Sequence, residues 1–336
     1  MTAYILRRLL LMVPTLLGIS IVCFVLIQFV PGGPVEEVIS KVRAANSARA
    51  GTSGGVSPEE IANIKAYFGF DKPAYVRYFT WLGNILRGDF GKSYVYQEPA
   101  LEVIASKFPI SLFFGLTSFV LAYAISIPLG VRKAMRHGSL FDSLTSALVF
   151  AGYVIPGYAL GTLLIIFLAG GSYLDWFPIG GIVSSNFEYL SPLGKVLDFL
   201  HHMALPLACY MASEFAVITL LMKNSVLEEM NRDYVRTAMA KGLSFHATIW
   251  RQVLRNALIP IATGVGSLFA VLFTSALLIE RVFDIDGMGL LFFNSIVGRD
   301  YNVVLGIIVL SSFFTMIGRL ASDLIYVVVD PRIRFD

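Results

Sequence analysis

Six stretches of this sequence are long and apolar enough to span a bilayer, and no other feature constrains the fold as strongly. A hydrocarbon core ~30 Å thick needs about 20 apolar residues per helix. Leu9–Val30, Phe108–Val131 and Ser143–Leu174 carry no charged side chain. The third is longer than one span requires, so it is expected to include a helix end or an interfacial segment. Ala204–Met222 is interrupted by Glu214, Leu258–Ile279 is uninterrupted, and Tyr301–Val329 holds Arg319 and Asp323 near its far end. Pro128, Pro156 and Gly161 fall at or inside spans, where neighbouring helices re-satisfy freed backbone groups. Only 15% of the residues are charged, against about 25% in soluble domains, and the mean hydropathy is +0.73. That balance excludes a cytosolic enzyme, a secreted disulfide scaffold and a disordered regulator. The expected fold class is all-α transmembrane.

Arg7-Arg8 before an apolar run also describes a signal peptide, but Leu9–Val30 exceeds the roughly 7–15 residues of a signal core. It is read as an uncleaved span. Lys and Arg in the short loops then set the direction. Arg132, Lys133 and Arg136 follow the second window, and Lys223, Arg232, Arg236, Lys241, Arg251 and Arg255 follow the fourth. The loops after the third and fifth hold only Lys195, Arg281 and Arg299. Both termini are therefore predicted to face the cytoplasm. The organisation that follows is an N-terminus and first span over 1–30, an outer (periplasmic) insertion over 31–107, five further spans over 108–329, and a cytoplasmic tail over 330–336.

Within the insertion, Lys41–Val56 is rich in Ala, Ser and Gly and reads as a flexible linker. Ser57-Pro58-Glu59-Glu60 opens a helix, with Ser57 as N-cap, Pro58 at the first helical position and acids in the first turn. Its end is expected near Gly69. Arg77–Leu86 carries a pattern of aromatic and apolar residues suited to the membrane face or to packing on the spans. Gly88-Asp89-Phe90-Gly91-Lys92-Ser93 imitates the end of a phosphate-binding loop, but only two residues separate its glycines where that loop needs four. It reads as an ordinary turn, so no nucleotide site is expected in this chain. The net charge of +3 is too small to suggest nucleic acid. Cys23 and Cys209 lie in apolar runs without metal or redox spacing and are read as packing residues. His137, His201, His202 and His246 are scattered, and they lack the carboxylate or thiolate partners of a metal site. They are expected to be solvated at interfaces.

The informative segment is 223–260. Asn231 is placed to cap a short helix with Asp233 in its first turn, and Gly242 to supply a left-handed stop. Ser244 is placed to cap a second helix, with Ile249, Val253 and Ala257 on one face and Arg251 and Arg255 on another. Pro260 then opens the fifth span. A short helix held by a glycine stop is a rigid knob. A solvated basic loop is the alternative that the charges alone permit.

Tyr234-Val235-Arg236-Thr237-Ala238-Met239-Ala240-Lys241-Gly242, followed by Leu254-Arg255-Asn256-Ala257-Leu258-Ile259-Pro260, resembles the coupling-loop signature of ABC-importer permeases in its dipeptide/oligopeptide form. Tyr4-Ile5-Leu6-Arg7-Arg8, Gly88-Asp89-Phe90-Gly91-Lys92-Ser93 and Asp330-Pro331-Arg332-Ile333-Arg334 are similar to that group as well. Val30-Pro31-Gly32-Gly33-Pro34, Ala169-Gly170-Gly171-Ser172-Tyr173 and Arg299-Asp300-Tyr301 resemble its Yej-type members. The general signature is Glu-Ala-Ala, three residues, then Gly. Here the matching positions are Arg236, Thr237 and Ala238, so the role of the signature Glu does not transfer. The resemblance implies a six-helix permease subunit of a peptide importer, not itself an enzyme, paired with a homologous second permease. It implies a cytosolic ATPase that binds ATP and Mg, and a periplasmic binding protein that delivers peptides, among them antibiotic or cell-wall-derived ones. It also implies that Asp233, Tyr234, Arg236, Thr237, Ala238, Lys241, Gly242, Arg255 and Asn256 couple the chain to the ATPase.

The translocation path is read from charge. Glu214 is expected to face the interior between subunits, and Glu280, Asp284, Asp286 and Asp300 to form an acidic outer rim. An ion-coupled secondary transporter is the rival reading. Such proteins place ionisable residues inside the membrane and interrupt helices in repeated halves. Only Glu214 fits, and no repeat is visible.

Overall fold

A computed structural model describes residues 2–29, 35–36, 38–40, 42–44, 56–67, 71–171, 173–264 and 277–329. It is all-α: no named strand occurs among these residues, only isolated bridges at Lys92–Pro99 and Ala169–Phe177. In chain order the helices are α1 (Thr2–Phe29), α2 (Pro58–Tyr67), α3 (Ala74–Leu86), α4 (Ala100–Met135), α5 (Leu140–Val154), α6 (Gly157–Leu168) and α7 (Pro192–Met230). They continue with α8 (Asp233–Ala240), α9 (Phe245–Thr248), α10 (Leu254–Ala257), α11 (Ile259–Gly264), α12 (Leu277–Val282), α13 (Met288–Val297) and α14 (Tyr301–Val329).

Among the described residues, α1, α4, α7 and α14 are long and apolar enough to cross a membrane. The third apolar window differs from the expectation of one span plus an end. It breaks in its middle into α5 and α6, bent by 108°. The cause is Pro156. A residue before proline is pushed out of the helical region, and Ile155 is extended at φ −76° and ψ 119°. Of the fifth window, α11 and α12 form the two ends, and residues 265–276 lie outside the described residues. So do most of the 41–56 linker, the expected helix end near Gly69, the Val30–Pro34 motif and the 330–336 tail.

The chain divides into two compact units. One comprises Leu6–Phe108 with Leu291–Phe313, so the segment read as an insertion belongs with most of α1 and the start of α14. Here α2 opens as the sequence predicts. Ser57 Oγ accepts the Glu60 N–H (3.1 Å), and Glu60 Oε2 accepts the Ser57 N–H (2.8 Å), a reciprocal capping box. Helix α3 packs on α1 through Phe24 and Tyr78, whose rings meet edge-on at 5.4 Å. The Ser20 and Tyr78 hydroxyls hydrogen-bond at 2.9 Å. The phosphate-loop imitation is a turn in which Asp89 Oδ1 accepts the Gly91 N–H (2.8 Å).

The other unit comprises Met1–Ile5, Pro109–Leu290 and Phe314–Asp336. One core cluster joins Val131 of α4 and Ile218, Met222 and Val226 of α7 with Val235, Ile249, Val253 and Ala257 from the segment after α7. Helices α4 and α7 approach closely at Gly130, where a Cβ would lie 2.6 Å from Met222 Cβ. At the chain's two ends, the Tyr4 hydroxyl donates to Asp323 Oδ2 at 2.8 Å.

Candidate functional site

The segment between α7 and α11 is built as a braced knob. Helix α7 runs past its apolar window and ends at Asn231, which is its C-cap rather than the N-cap of α8. The Asn231 amide side chain donates back to Leu227 O (3.0 Å). The N-cap of α8 is Arg232, which makes no side-chain capping bond. The reading of Asn231 is thus corrected: α7 claims it by continuing without a break through its polar last turns. The stop after α8 is as expected. Gly242 sits at φ +91°; its N–H donates to Met239 O (2.9 Å), and the Leu243 N–H donates to Ala238 O (3.3 Å). That pair of bonds is a Schellman stop. Ser244 Oγ then accepts the Ala247 N–H (3.3 Å) and caps α9.

Past α9 the backbone widens into a π-helical turn over Ile249–Val253 before α10. The predicted apolar face is present: Ile249 and Val253 are fully buried and Ala257 nearly so. Each such Ile or Val contributes about 1.5–3 kcal/mol by burial. On α8, Val235 and Ala238 are buried, while Asp233, Arg236 and Thr237 are exposed, as are Lys241, Gly242 and Arg255 beyond it. Ala238 therefore holds the helix down instead of presenting itself. Two large apolar side chains, Met239 and Phe245, stay 40% and 42% exposed on either side of Gly242.

Tyr234 and Asn256 have a bracing role that sequence reading missed. The Tyr234 hydroxyl donates to Glu229 Oε2 (2.7 Å), and Asn256 Nδ2 donates to the same oxygen (3.3 Å). One carboxylate at the end of α7 so ties α8 to α10. Burial, with the bond to Glu229, pushes the Tyr234 phenol up to about 12, which keeps its proton in place as a donor. The Glu228-Glu229 pair just before Asn231 was the only available signal.

A second ionic cluster was also missed. Lys133 and Lys223, counted in sequence as loop cations, both reach Asp142 in the first turn of α5. Lys223 Nζ lies 2.8 Å from its carboxylate and Lys133 Nζ 3.2 Å. Lys133 is wholly buried and also donates to Asp142 O (2.9 Å), Thr145 Oγ1 (2.7 Å) and Ser146 Oγ (2.8 Å). Burial alone would raise the Asp142 pKa. The bonds from Lys223, the Gly138 N–H and Lys133 outweigh it and hold the carboxyl well below the usual carboxylate range. The cluster joins the last turn of α4, the first of α5 and the C-terminal third of α7.

The expected four-acid rim is not formed as such. Glu280 is 1% exposed and Asp300 wholly buried; Asp284 and Asp286 alone are exposed. Glu280 accepts the Leu290 N–H (2.7 Å) at the start of α13 and receives the Tyr210 (3.3 Å) and Ser111 (3.4 Å) hydroxyls. Acidic loop residues look alike in sequence whether they are solvated or cap a helix, and Glu280 is of the second kind. Asp300 likewise takes bonds from the Ser93 hydroxyl and the Val95 N–H (3.2 Å). Glu214 is half-buried on α7 and lines a cavity of about 270 Å³ with Tyr123, Pro260 and Ile261. His202 is also not solvated: it is 7% exposed, with Nδ1 2.9 Å from Asp198 O.

The comparisons with known proteins agree with this architecture. The profile of the "Binding-protein-dependent transport system inner membrane component" family matches residues 126–335, and that of the corresponding N-terminal region matches residues 1–115. The chain is 41% identical to the "Peptidoglycan transport system permease protein YejB" of Agrobacterium fabrum, covering 100% of this chain and 99% of that protein. It is 40% identical to the "Inner membrane ABC transporter permease protein YejB" of Escherichia coli O157:H7 and 34% identical to the "Oligopeptide transport system permease protein AppB" of Bacillus subtilis. Coverage is 100% of both chains in each case. The chain belongs to the family of binding-protein-dependent transport system inner membrane components, the membrane permeases of ABC transporters.

Proposed function

We propose that this permease moves peptides into the cytoplasm, paired with a homologous second permease and driven by a cytosolic ATPase that binds ATP and Mg. A periplasmic binding protein delivers the cargo, and both termini lie in the cytoplasm. The observation that carries this reading is similarity over the full length to permeases named for peptidoglycan and oligopeptide transport. Cell-wall-derived peptides are the substrate class this favours. The braced knob supports the mechanical half of the proposal. The exposed face of α8 (Asp233, Arg236, Thr237) meets a groove on the ATPase, with Met239 and Phe245 as apolar contacts. Movement of that ATPase pushes the helix, and its buried underside passes the displacement to α7 and α10. Uptake of labelled muropeptide into proteoliposomes of the co-purified complex tests the proposal. Uptake should require ATP and binding protein; uptake driven by an ion gradient without ATP would establish the secondary-transporter reading instead.

Glu214 is assigned to the path. Facing lipid, a mid-helix carboxylate costs about 2.5–3.5 kcal/mol, whereas a cavity between α4, α7 and α11 lets it stay hydrated and attract a peptide's amino group. Glu214→Gln should lower uptake of peptides with a free amino terminus more than uptake of their acetylated forms. Equal effects on both would remove the cargo-contacting role.

A further inference from the structure

We propose that the break between α5 and α6 lines the water-filled path of the transporter, where the backbone carbonyls of Gly152, Tyr153 and Val154 accept N–H groups of a passing peptide. The proposal rests on the peptide-permease reading above and is independent of Glu214.

The break stands deep in the bilayer. Helix α5 packs along α7, from Asp142 bonded to Lys223 up to Gly152, where a Cβ would lie 4.0 Å from Ala212 O. Just past the break, a Cβ on Gly157 would lie 3.1 Å from Cys209 O. Positions 209 and 212 fall inside the apolar window 204–222 of α7, about 7 Å or more from either of its ends at 1.5 Å per residue. The break is therefore a mid-membrane feature and not a helix end at the interface.

Its backbone is short of partners. Ile155 (φ −76°, ψ 119°) and Pro156 (φ −56°, ψ 137°) are both extended. The last four carbonyls of a helix have no intrahelical partner. Ala151 O takes the Ile155 N–H (3.1 Å), but Pro156 has no N–H to give to Gly152 O. Non-helical backbone at membrane depth is tolerated only where protein buries it or water reaches it. This chain does not bury it: Tyr153, Val154 and Tyr158 are 54%, 57% and 43% exposed. Packing nevertheless fixes the bend, because Gly157 and Gly161 press α6 onto Ile279 and Phe283, which a Cβ would meet at 2.9 and 2.8 Å.

Water suits the exposed side better than lipid or an apolar partner face. Tyr153 and Tyr158 flank the break, whereas tyrosines that face lipid gather at the two interfaces. The free carbonyls are uncharged acceptors with two lone pairs each. Their complement is a series of neutral N–H donors, which an extended peptide supplies. A carbonyl accepts from any backbone amide whatever its side chain, so the break would take peptides as a class.

The test uses proteoliposomes of the co-purified complex, with Cys23→Ala and Cys209→Ala removing both native thiols. Uptake of labelled muropeptide by this parent is read first. It tests the peptide-permease reading by itself, so failure of that reading and failure of the path are told apart. Val154→Cys is then treated, with ATP and binding protein present, with a charged methanethiosulfonate, which attacks thiolate and needs water at the thiol. It should react many times faster than Val13→Cys, at mid-span on α1 and 56% exposed. Muropeptide should slow the reaction severalfold, and the modified protein should lose uptake. Tyr158→Cys, across the break, should behave alike, so the result does not hang on one variant. A rate equal to that of Val13→Cys would overturn the proposal, as would a rate that muropeptide leaves unchanged. So would a thiol that reacts in the isolated chain and is shielded in the complex, which would mean that the second permease covers the break.

Discussion

Asp142→Ala will strip the counter-charge from two lysines at once and should cost about 3–5 kcal/mol, the usual penalty for leaving a buried charge uncompensated. Lys133 has no exposed surface and Lys223 little, so neither can recover its hydration without moving a helix. The measurement is the thermal midpoint of the purified chain and its yield from membranes; both should fall sharply. The companion variant removes all three charges, Lys133→Met with Asp142→Leu and Lys223→Met, and should recover most of the loss. An unchanged midpoint for Asp142→Ala would mean that water already solvates the cluster. The pH dependence has a definite sign. The folded carboxyl titrates below its unfolded value of about 3.9. Its contribution is therefore complete above that value and is lost as pH falls through the folded pKa. Between pH 5 and 8 this group should leave stability flat.

Gly242→Val should uncouple ATP hydrolysis from transport while the protein still inserts. No heavy atom lies within 4 Å of where a Cβ would stand on Gly242, so the penalty is torsional and not steric. A β-branched residue at φ +91° pays roughly 1–2 kcal/mol for the left-handed backbone. The Schellman stop turns the chain between α8 and α9, so relaxing it should re-aim the exposed face of α8. Gly242→Asn, which tolerates the left-handed region better, should lose much less. ATPase activity and peptide uptake measured together in proteoliposomes decide the matter. Normal uptake by Gly242→Val would show that the stop is dispensable for coupling.

What could be read from sequence followed from signals that act locally or over one helix length. Long apolar windows located α1, α4, α7 and α14 because bilayer thickness sets a length that few other causes imitate. Ser57, Gly242 and Ser244 were legible because a cap or stop depends on its own few residues. The failures share a different cause. Asn231 has the chemistry of either cap, and the choice depended on how far α7 continued. Pro156 was noticed, yet whether a proline bends a span slightly or breaks it depends on neighbouring helices. Lys133, Asp142 and Lys223 are distant in the chain and each looks like an ordinary surface charge; only the meeting of three helices makes them a buried set. Glu280 and Glu229 were hidden similarly, since a carboxylate that organises backbone or side-chain donors carries no local mark. The coupling role proposed for α8 rests on the family resemblance more than on its charges.

The hydrogen bond between Tyr4 and Asp323 has a topological consequence. It links the first turn of α1 to the later part of α14, so where both helices span the bilayer the two linked ends are expected on one face. A chain that starts and finishes on one face crosses an even number of times. Six passes, one for each apolar window of the sequence, satisfy that parity. It also makes the two ends report on each other: a reporter fused to either one should give the same sidedness.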